Sequence, residues 1–102
     1  MRILITNDDG IGSEGIRALV DWAQKLGEVS VFAPNVEKSG KSVSVELREA
    51  FKVEKVEYPG AVEAYAVHST PADCVRFAVL GLGKKFDLVL SGVNKGQNLG
   101  HD

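Results

Sequence analysis

The first third of the chain has the pattern of a strand, a polar turn, a helix and a second strand. Arg2 to Thr6 is a short apolar run, which predicts a buried strand. Apolar residues then recur with a 3.6-residue period, which predicts a helix from about Ser13 to Leu26. Ser13 or Gly12 can cap its start, and Gly27 ends it. Glu28 to Ala33 predicts a second strand. This order predicts a right-handed βαβ unit with parallel strands.

The rest of the chain predicts three half-exposed strands, a helix and a final buried strand. Alternation of apolar and polar residues predicts strands over Ser42 to Arg48, Phe51 to Tyr58 and Glu63 to Val67. These strands should form a hairpin or meander. A helix should begin near Thr70-Pro71 and end at Gly83, with the Thr as its cap and the Pro at its first position. Its predicted core face consists of Val75, Ala78, Val79 and Leu82. Phe86 to Leu90 predicts the last strand.

These elements predict an α/β fold with a mainly parallel sheet in one domain over residues 1–102. In such sheets, ligands bind beyond the carboxyl ends of the parallel strands. Three segments should reach that edge, namely Asn7 to Gly12, Asn35 to Ser42 and Ser91 to Asp102. They are also the segments richest in Asp, Asn, Ser and Gly, so the edge is the candidate functional region.

Composition narrows the class of protein. With 102 residues, 44% of them hydrophobic, the chain suits one small soluble domain. A formal net charge of -2 gives no basic excess for binding duplex nucleic acid or an anionic membrane. Its one cysteine, Cys74, lies in an apolar stretch and is interpreted as a buried structural thiol. No apolar stretch is long enough to span a bilayer, and the N-terminus reads as a strand rather than a signal peptide, so a cytoplasmic location is expected.

Asp8 and Asp9 form an adjacent acidic pair after the first strand. Two carboxylates at close range repel each other, and a hard divalent ion such as Mg²⁺ or Mn²⁺ relieves that repulsion. Both can reach one ion only if the chain has left the strand at residue 8 or 9, which Gly10 favours. Alternatively, the pair serves only turn and helix-cap hydrogen bonding. Sequence alone leaves both interpretations open.

Two other classes of protein have a turn with similar residues after their first strand. The glycines at positions 10, 12 and 15 match the dinucleotide fingerprint G-x-G-x-x-G, but Asp8 and Asp9 would place negative charge where a pyrophosphate must bind. Receiver domains also carry an acidic pair after their first strand. They need a phosphoacceptor Asp after a later strand, where this chain has Ser91-Gly92.

The other two loops also carry groups that suit phosphate or metal. Ser39 to Ser42 lacks the upstream glycine of a P-loop but offers hydroxyls and backbone N–H groups. In the last loop, Asn94 and Asn98 offer neutral carbonyl oxygens, and its glycines allow close approach of a ligand. His68 and His101 are interpreted as structural or incidental.

Several ordered motifs together resemble the stationary-phase survival protein SurE family. They are Ile3 to Gly10, Ala33-Pro34, Ser39 to Ser42, Thr70 to Val75 and Ser91 to Gly100. The resemblance implies a Rossmann-like three-layer α/β sandwich. It also implies a metal-dependent 5′-nucleotidase or acid phosphatase that acts on nucleoside 5′- and 3′-monophosphates, and a homo-oligomer, either a dimer or a tetramer.

Carried over by motif, the resemblance assigns roles to individual residues. The ligands of one divalent ion, Mg²⁺ or Mn²⁺, are expected to be Asp8, Asp9, Ser39 and Asn94. Asp8 and Asp9 are also the expected catalytic residues. The substrate-binding residues are expected to be Asn7, Gly40, Asn94 and Asn98.

The chain departs from the family pattern in three places and in length. Asn35 stands where Asp is common, His68-Ser69 precedes Thr70 where a Gly is usual, and His101 replaces a frequent acidic residue. Family members run to roughly two and a half times this length. The resemblance therefore covers their N-terminal part, and an unprotected sheet edge that favours self-association is expected. Alternative functions are a non-catalytic core that binds metal and nucleotide, or a dinucleotide-binding module.

Overall fold

The computed structural model describes residues 1–35, 42–48 and 51–92, which form one six-stranded sheet with helices on both faces. The strands are β1 (Arg2–Thr6), β2 (Glu28–Pro34), β3 (Ser42–Arg48), β4 (Phe51–Val56), β5 (Glu63–Val67) and β6 (Leu88–Ser91). The helices are α1 (Glu14–Ala23) and α2 (Pro71–Arg76), and a π-helical turn over Phe77–Gly81 continues α2. In this part of the chain no helix is long and apolar enough to cross a membrane.

The strands follow the order β3-β4-β5-β2-β1-β6 across the sheet. Parallel pairing joins β5 to β2, β2 to β1, and β1 to β6. Antiparallel pairing joins β3 to β4 and β4 to β5, which confirms the predicted meander. The carboxyl ends of β5, β2, β1 and β6 consequently meet at one edge of the sheet, with β1 between β2 and β6.

Helix α1 begins as predicted but ends earlier. Ser13 is its N-cap, and the Ser13 hydroxyl accepts a hydrogen bond from the Ile16 backbone N at 3.3 Å. The helix ends at Ala23, so Leu26 lies beyond it and is exposed. Gly27 is not in a left-handed conformation. A Cβ at this position would lie 2.1 Å from the Met1 carbonyl O, so close packing against Met1, the residue before β1, requires the glycine.

Helix α2 has the predicted start but a different buried face. The Thr70 hydroxyl accepts from the Asp73 backbone N at 3.2 Å, and Pro71 occupies the first helical turn. The following π-helical turn buries Phe77 and Ala78, whereas Val79 is exposed. The prediction that Val79 faces the core was wrong, because a π turn holds more residues than an α turn and shifts the 3.6-residue pattern.

Consecutive residues of β1 contribute to two separate cores. Ile3 and Ile5 pack in the cluster that contains the buried face of α1. Leu4 packs in the opposite cluster, which contains the buried residues of α2 and its π-helical turn. In that second cluster, Phe32 stacks on Tyr65 with ring centroids 4.8 Å apart. The described residues thus form helix, sheet and helix layers, as predicted for an α/β sandwich.

Candidate functional site

Asn7 organises the turn that follows β1. Its side chain is fully buried, and its Nδ2 donates to the Gly10 carbonyl O and to the Ser13 Oγ, each at 2.9 Å. Its Oδ1 accepts from the Gly10 backbone N at 3.1 Å. Gly10 has a φ of 108°, which favours glycine because a Cβ is poorly tolerated there. The amide of Asn7 therefore fixes the turn, and its predicted contact with substrate stays a prediction.

Backbone hydrogen bonds tie this turn to both neighbouring strands. The Ile11 backbone N donates to the Pro34 carbonyl O at the end of β2, at 2.9 Å. On the other side, the Gly92 backbone N after β6 donates to the Thr6 carbonyl O at 3.0 Å. Three chain segments consequently leave the sheet from adjacent strand ends. The segments after β2 and β6 carry four predicted site residues that lie outside the described residues, namely Ser39, Gly40, Asn94 and Asn98.

Asp8 and Asp9 both lie beyond the last residue of β1, in this turn. The condition for two adjacent carboxylates to approach a single ion is therefore met. Asp8 is exposed and has no hydrogen-bond or ion-pair partner among the residues that the structure describes, whereas Asp9 is half-buried. Because Asn7 closes the turn and Ser13 caps α1, those two hydrogen-bonding roles do not fall to Asp8.

The donor chemistry of the turn suits a hard divalent ion. Mg²⁺ and Mn²⁺ prefer oxygen ligands such as the carboxylates of Asp8 and Asp9. Among the side chains that the structure describes, no group of three or more His, Cys, Asp or Glu residues is placed to hold a metal. The predicted set of four oxygen ligands is thus complete only with Ser39 and Asn94, and metal binding stays a prediction.

Cys74 lies against the end of β1 on the α2 face of the sheet. Burial, followed by the negative charge of Asp73, raises the pKa of the Cys74 thiol to about 12, while contacts with the Thr6 hydroxyl and the backbone act in the opposite direction. The buried Thr6 Oγ1 makes no hydrogen bond of ordinary geometry with the described residues, so its contact with the thiol is a weak one. These observations confirm the predicted buried thiol.

Cys74 should resist alkylation in the folded protein. At pH 8, a thiol with a pKa near 12 holds about a thousandfold less thiolate than an ordinary cysteine, and burial blocks access as well. We expect iodoacetamide to leave Cys74 unmodified in native buffer and to modify it fully in denaturant, as followed by intact mass. Rapid modification under native conditions would contradict the burial described.

A second polar cluster lies at the same sheet edge, at the ends of β2 and β5. The His68 Nε2 lies 2.9 Å from the Glu54 Oε2 and 2.9 Å from the Asn35 Nδ2. Sequence alone assigned His68 a structural or incidental role. One indication of its position came from the sequence, because His68 directly follows a predicted strand. The parallel pairing of β5 with β2 is what puts it at the candidate edge.

The layered sheet with its polar turns at one carboxyl edge defines a Rossmann-like α/β protein. Comparison with known proteins gives a more specific assignment. The chain belongs to the SurE family, since the family model described as "Survival protein SurE" matches residues 3–102.

Individual relatives cover all or nearly all of the chain. A protein named 5′-nucleotidase SurE from Thermococcus gammatolerans is 48% identical over 99 residues, which is 97% of this chain and 37% of that protein. The one from Dehalococcoides mccartyi is 49% identical over 108 residues, covering 100% of this chain and 39% of its own length. The crystal structure of the SurE protein from Aquifex aeolicus matches with a TM-score of 0.70 at 41% identity, covering 100% and 41% of the two chains. The chain therefore spans about two fifths of the relatives it matches.

Proposed function

We propose that this chain forms the metal-binding part of a phosphomonoesterase that hydrolyses nucleoside 5′- and 3′-monophosphates to nucleoside and phosphate. The observation that carries the proposal is the turn after β1, where Asn7 and Ser13 supply the structural hydrogen bonds and leave the Asp8 carboxylate without a partner among the described residues. The name 5′-nucleotidase, carried by relatives 45–49% identical to this chain, supports the substrate class.

In this proposal one divalent ion per subunit, Mg²⁺ or Mn²⁺, is held by Asp8 and Asp9, with Ser39 and Asn94 from the segments after β2 and β6. Such an ion would supply positive charge that stabilises the phosphate oxygens in the transition state. Asp8 would orient the attacking water and accept its proton as the water oxygen bonds to phosphorus and the ester bond to the nucleoside breaks. The released nucleoside oxygen would take up a proton from solvent. Gly40, Asn94 and Asn98 contact the phosphate.

The charge of the turn makes phosphate binding dependent on the ion. A phosphate monoester is anionic, and it would meet the carboxylates of Asp8 and Asp9 at the same place. Like charges at short range repel, and a bound cation reverses that interaction. Removing the ion should thus remove substrate binding as well as turnover.

Phosphate release is the test of this proposal. We expect release from nucleoside 5′-monophosphates with Mn²⁺ or Mg²⁺, a fall of at least about a hundredfold after chelation, and recovery on adding the ion back. Release unchanged by chelator would contradict the proposal. Binding of ion and nucleotide without release would favour a non-catalytic core, and saturable NAD binding without any divalent ion would favour a dinucleotide module.

Self-association belongs to the same proposal. Strand β6 is an outer strand of the described sheet, and its Val89 side chain is 50% exposed. An outer strand with one unpaired edge and an exposed apolar residue favours pairing with another chain. A homo-oligomer, dimer or tetramer, is therefore proposed.

A further inference from the structure

The cluster of Asn35, Glu54 and His68 is held in place by backbone hydrogen bonds as well as by its own contacts. The Asn35 backbone N donates to the Val67 carbonyl O at 2.9 Å. The His68 backbone N donates to the Lys52 carbonyl O, also at 2.9 Å. The Asn35 Nδ2 and the Glu54 Oε2 each lie 2.9 Å from the His68 Nε2, so the three side chains form a preorganised polar surface.

This cluster lies beside the turn that carries Asp8, at the same level of the sheet. Val67, the residue before His68, pairs with Pro34, and the Pro34 carbonyl O accepts from Ile11 in the turn after β1. Strand β2 lies between β5 and β1, so roughly 10 Å separates strand β5 from strand β1. A nucleoside monophosphate with its phosphate at Asp8 and Asp9 has the length to reach the cluster with its nucleoside part.

The chemistry of the cluster suits hydroxyl groups rather than a second phosphate. The Glu54 carboxylate repels anions but accepts hydrogen bonds from hydroxyls, and the Asn35 carboxamide can both donate and accept. Close by, the Ser69 hydroxyl donates to the Asp73 carboxylate, which adds further negative charge. The His68 and Glu54 side chains are 34% and 20% exposed, so a ligand can reach them.

We propose that Asn35, Glu54 and His68 bind the ribose hydroxyls of a nucleoside monophosphate whose phosphate lies at Asp8 and Asp9. This inference rests on the proposed function. It adds a second binding region that makes the site selective for ribonucleotides over phosphate monoesters that lack sugar hydroxyls.

Equilibrium binding to the Mn²⁺-loaded chain tests the proposal whether or not the chain turns over. The probes are hydrolysis-resistant phosphonate analogues of a ribonucleoside 5′-monophosphate and of its 2′,3′-dideoxy counterpart, measured by calorimetry. We expect the wild-type chain to bind the ribose analogue about tenfold more tightly, as one or two hydrogen bonds provide. His68→Ala and the conservative Glu54→Gln should each lower this preference at least about threefold, with unchanged affinity for the dideoxy analogue and for Mn²⁺.

Lys84→Gln is the matched control, since it breaks a polar contact to a different carboxylate, that of Glu63 on β5. The Lys84 Nζ lies 3.1 Å from the Glu63 Oε2, with side chains 26% and 16% exposed, and Glu63 is the first residue of the strand. This variant should keep the preference for ribose. Thermal unfolding of every variant shows that the fold is retained, and Glu54→Gln carries the test if His68→Ala does not fold.

Three results would overturn the ribose proposal alone. One is equal affinity of the wild-type chain for both analogues, and a second is an undiminished preference for the ribose analogue in both His68→Ala and Glu54→Gln. The third is a fall in affinity for both analogues, or for Mn²⁺, in these variants, which would assign the cluster to positioning the metal site. If neither analogue binds, or if binding does not depend on Mn²⁺, the proposed function fails and this inference fails with it.

Discussion

Asp8→Asn should lower kcat/KM for phosphate release by at least about a hundredfold, the contribution typical of a group that handles a proton in the transition state. The substitution keeps the shape of the side chain but removes its charge and its basicity. Asp8 is exposed and has no partner among the described side chains, so the fold should not depend on it. The measurement is steady-state release of phosphate from a nucleoside 5′-monophosphate with Mn²⁺.

Asp21→Asn provides the control for Asp8→Asn. It makes the same chemical change on the exposed surface of α1, away from the carboxyl edge of the sheet. We expect its kcat/KM to equal that of the wild-type chain. Wild-type activity in Asp8→Asn would contradict the role assigned to Asp8. A loss of kcat/KM in Asp21→Asn equal to that in Asp8→Asn would show that the net charge of the chain, rather than the turn, controls the rate.

Asn7→Ala should lower the free energy of unfolding by about 2–4 kcal/mol, because it removes three hydrogen bonds and leaves the buried Gly10 N–H without a partner, although the Gly10 carbonyl still accepts from the Ser13 backbone N. The wild-type amide makes three hydrogen bonds, to the N–H and C=O of Gly10 and to the Ser13 hydroxyl. A small domain has only about 5–15 kcal/mol in total, so the loss should be conspicuous in urea unfolding. Mn²⁺ affinity should fall as well, because the turn that carries Asp8 loses its fixed shape.

Ser30→Ala is the matched change at another buried polar residue. The Ser30 hydroxyl makes one hydrogen bond, to the Glu63 Oε2 at 3.2 Å, and Ser30 lies in β2 away from the turn. We expect a loss of about 1 kcal/mol or less and normal Mn²⁺ binding. If Asn7→Ala were no more destabilising than Ser30→Ala, the turn would not depend on the amide of Asn7.

Local chemistry made most elements of the fold predictable. Ser13 and Thr70 are side-chain caps whose bonding depends only on residues next to them in sequence, so both helix starts were correct. The end of α1 was less predictable. The helix ends at Ala23, before Gly27, and the need for glycine at position 27 comes from a contact with Met1, which is distant in sequence. The pairing of β5 with β2 is also a contact between distant segments, and no periodic pattern encodes it.

The position of the candidate site was predictable where its residues adjoin a strand end. Asp8 and Asp9 were proposed as site residues because they follow a buried strand and precede a glycine. The structure places them in the turn beyond β1, and their role stays a prediction. The structural role of Asn7 was not foreseen. The partners of its amide, such as the Gly10 carbonyl O, are determined by the burial of the turn, which the sequence does not show. His68 was assigned no function, because its proximity to Asn35 and Glu54 exists only once three strands are assembled.

Titration of the chain with Mn²⁺, followed by calorimetry, tests whether the turn after β1 holds a divalent ion. It needs neither substrate nor turnover. We predict binding of one ion per chain in the wild type and its loss in the double variant Asp8→Asn/Asp9→Asn, with the circular dichroism of the folded protein retained. Undiminished Mn²⁺ binding by a folded double variant, or no binding by the wild-type chain, would contradict a metal site at Asp8 and Asp9.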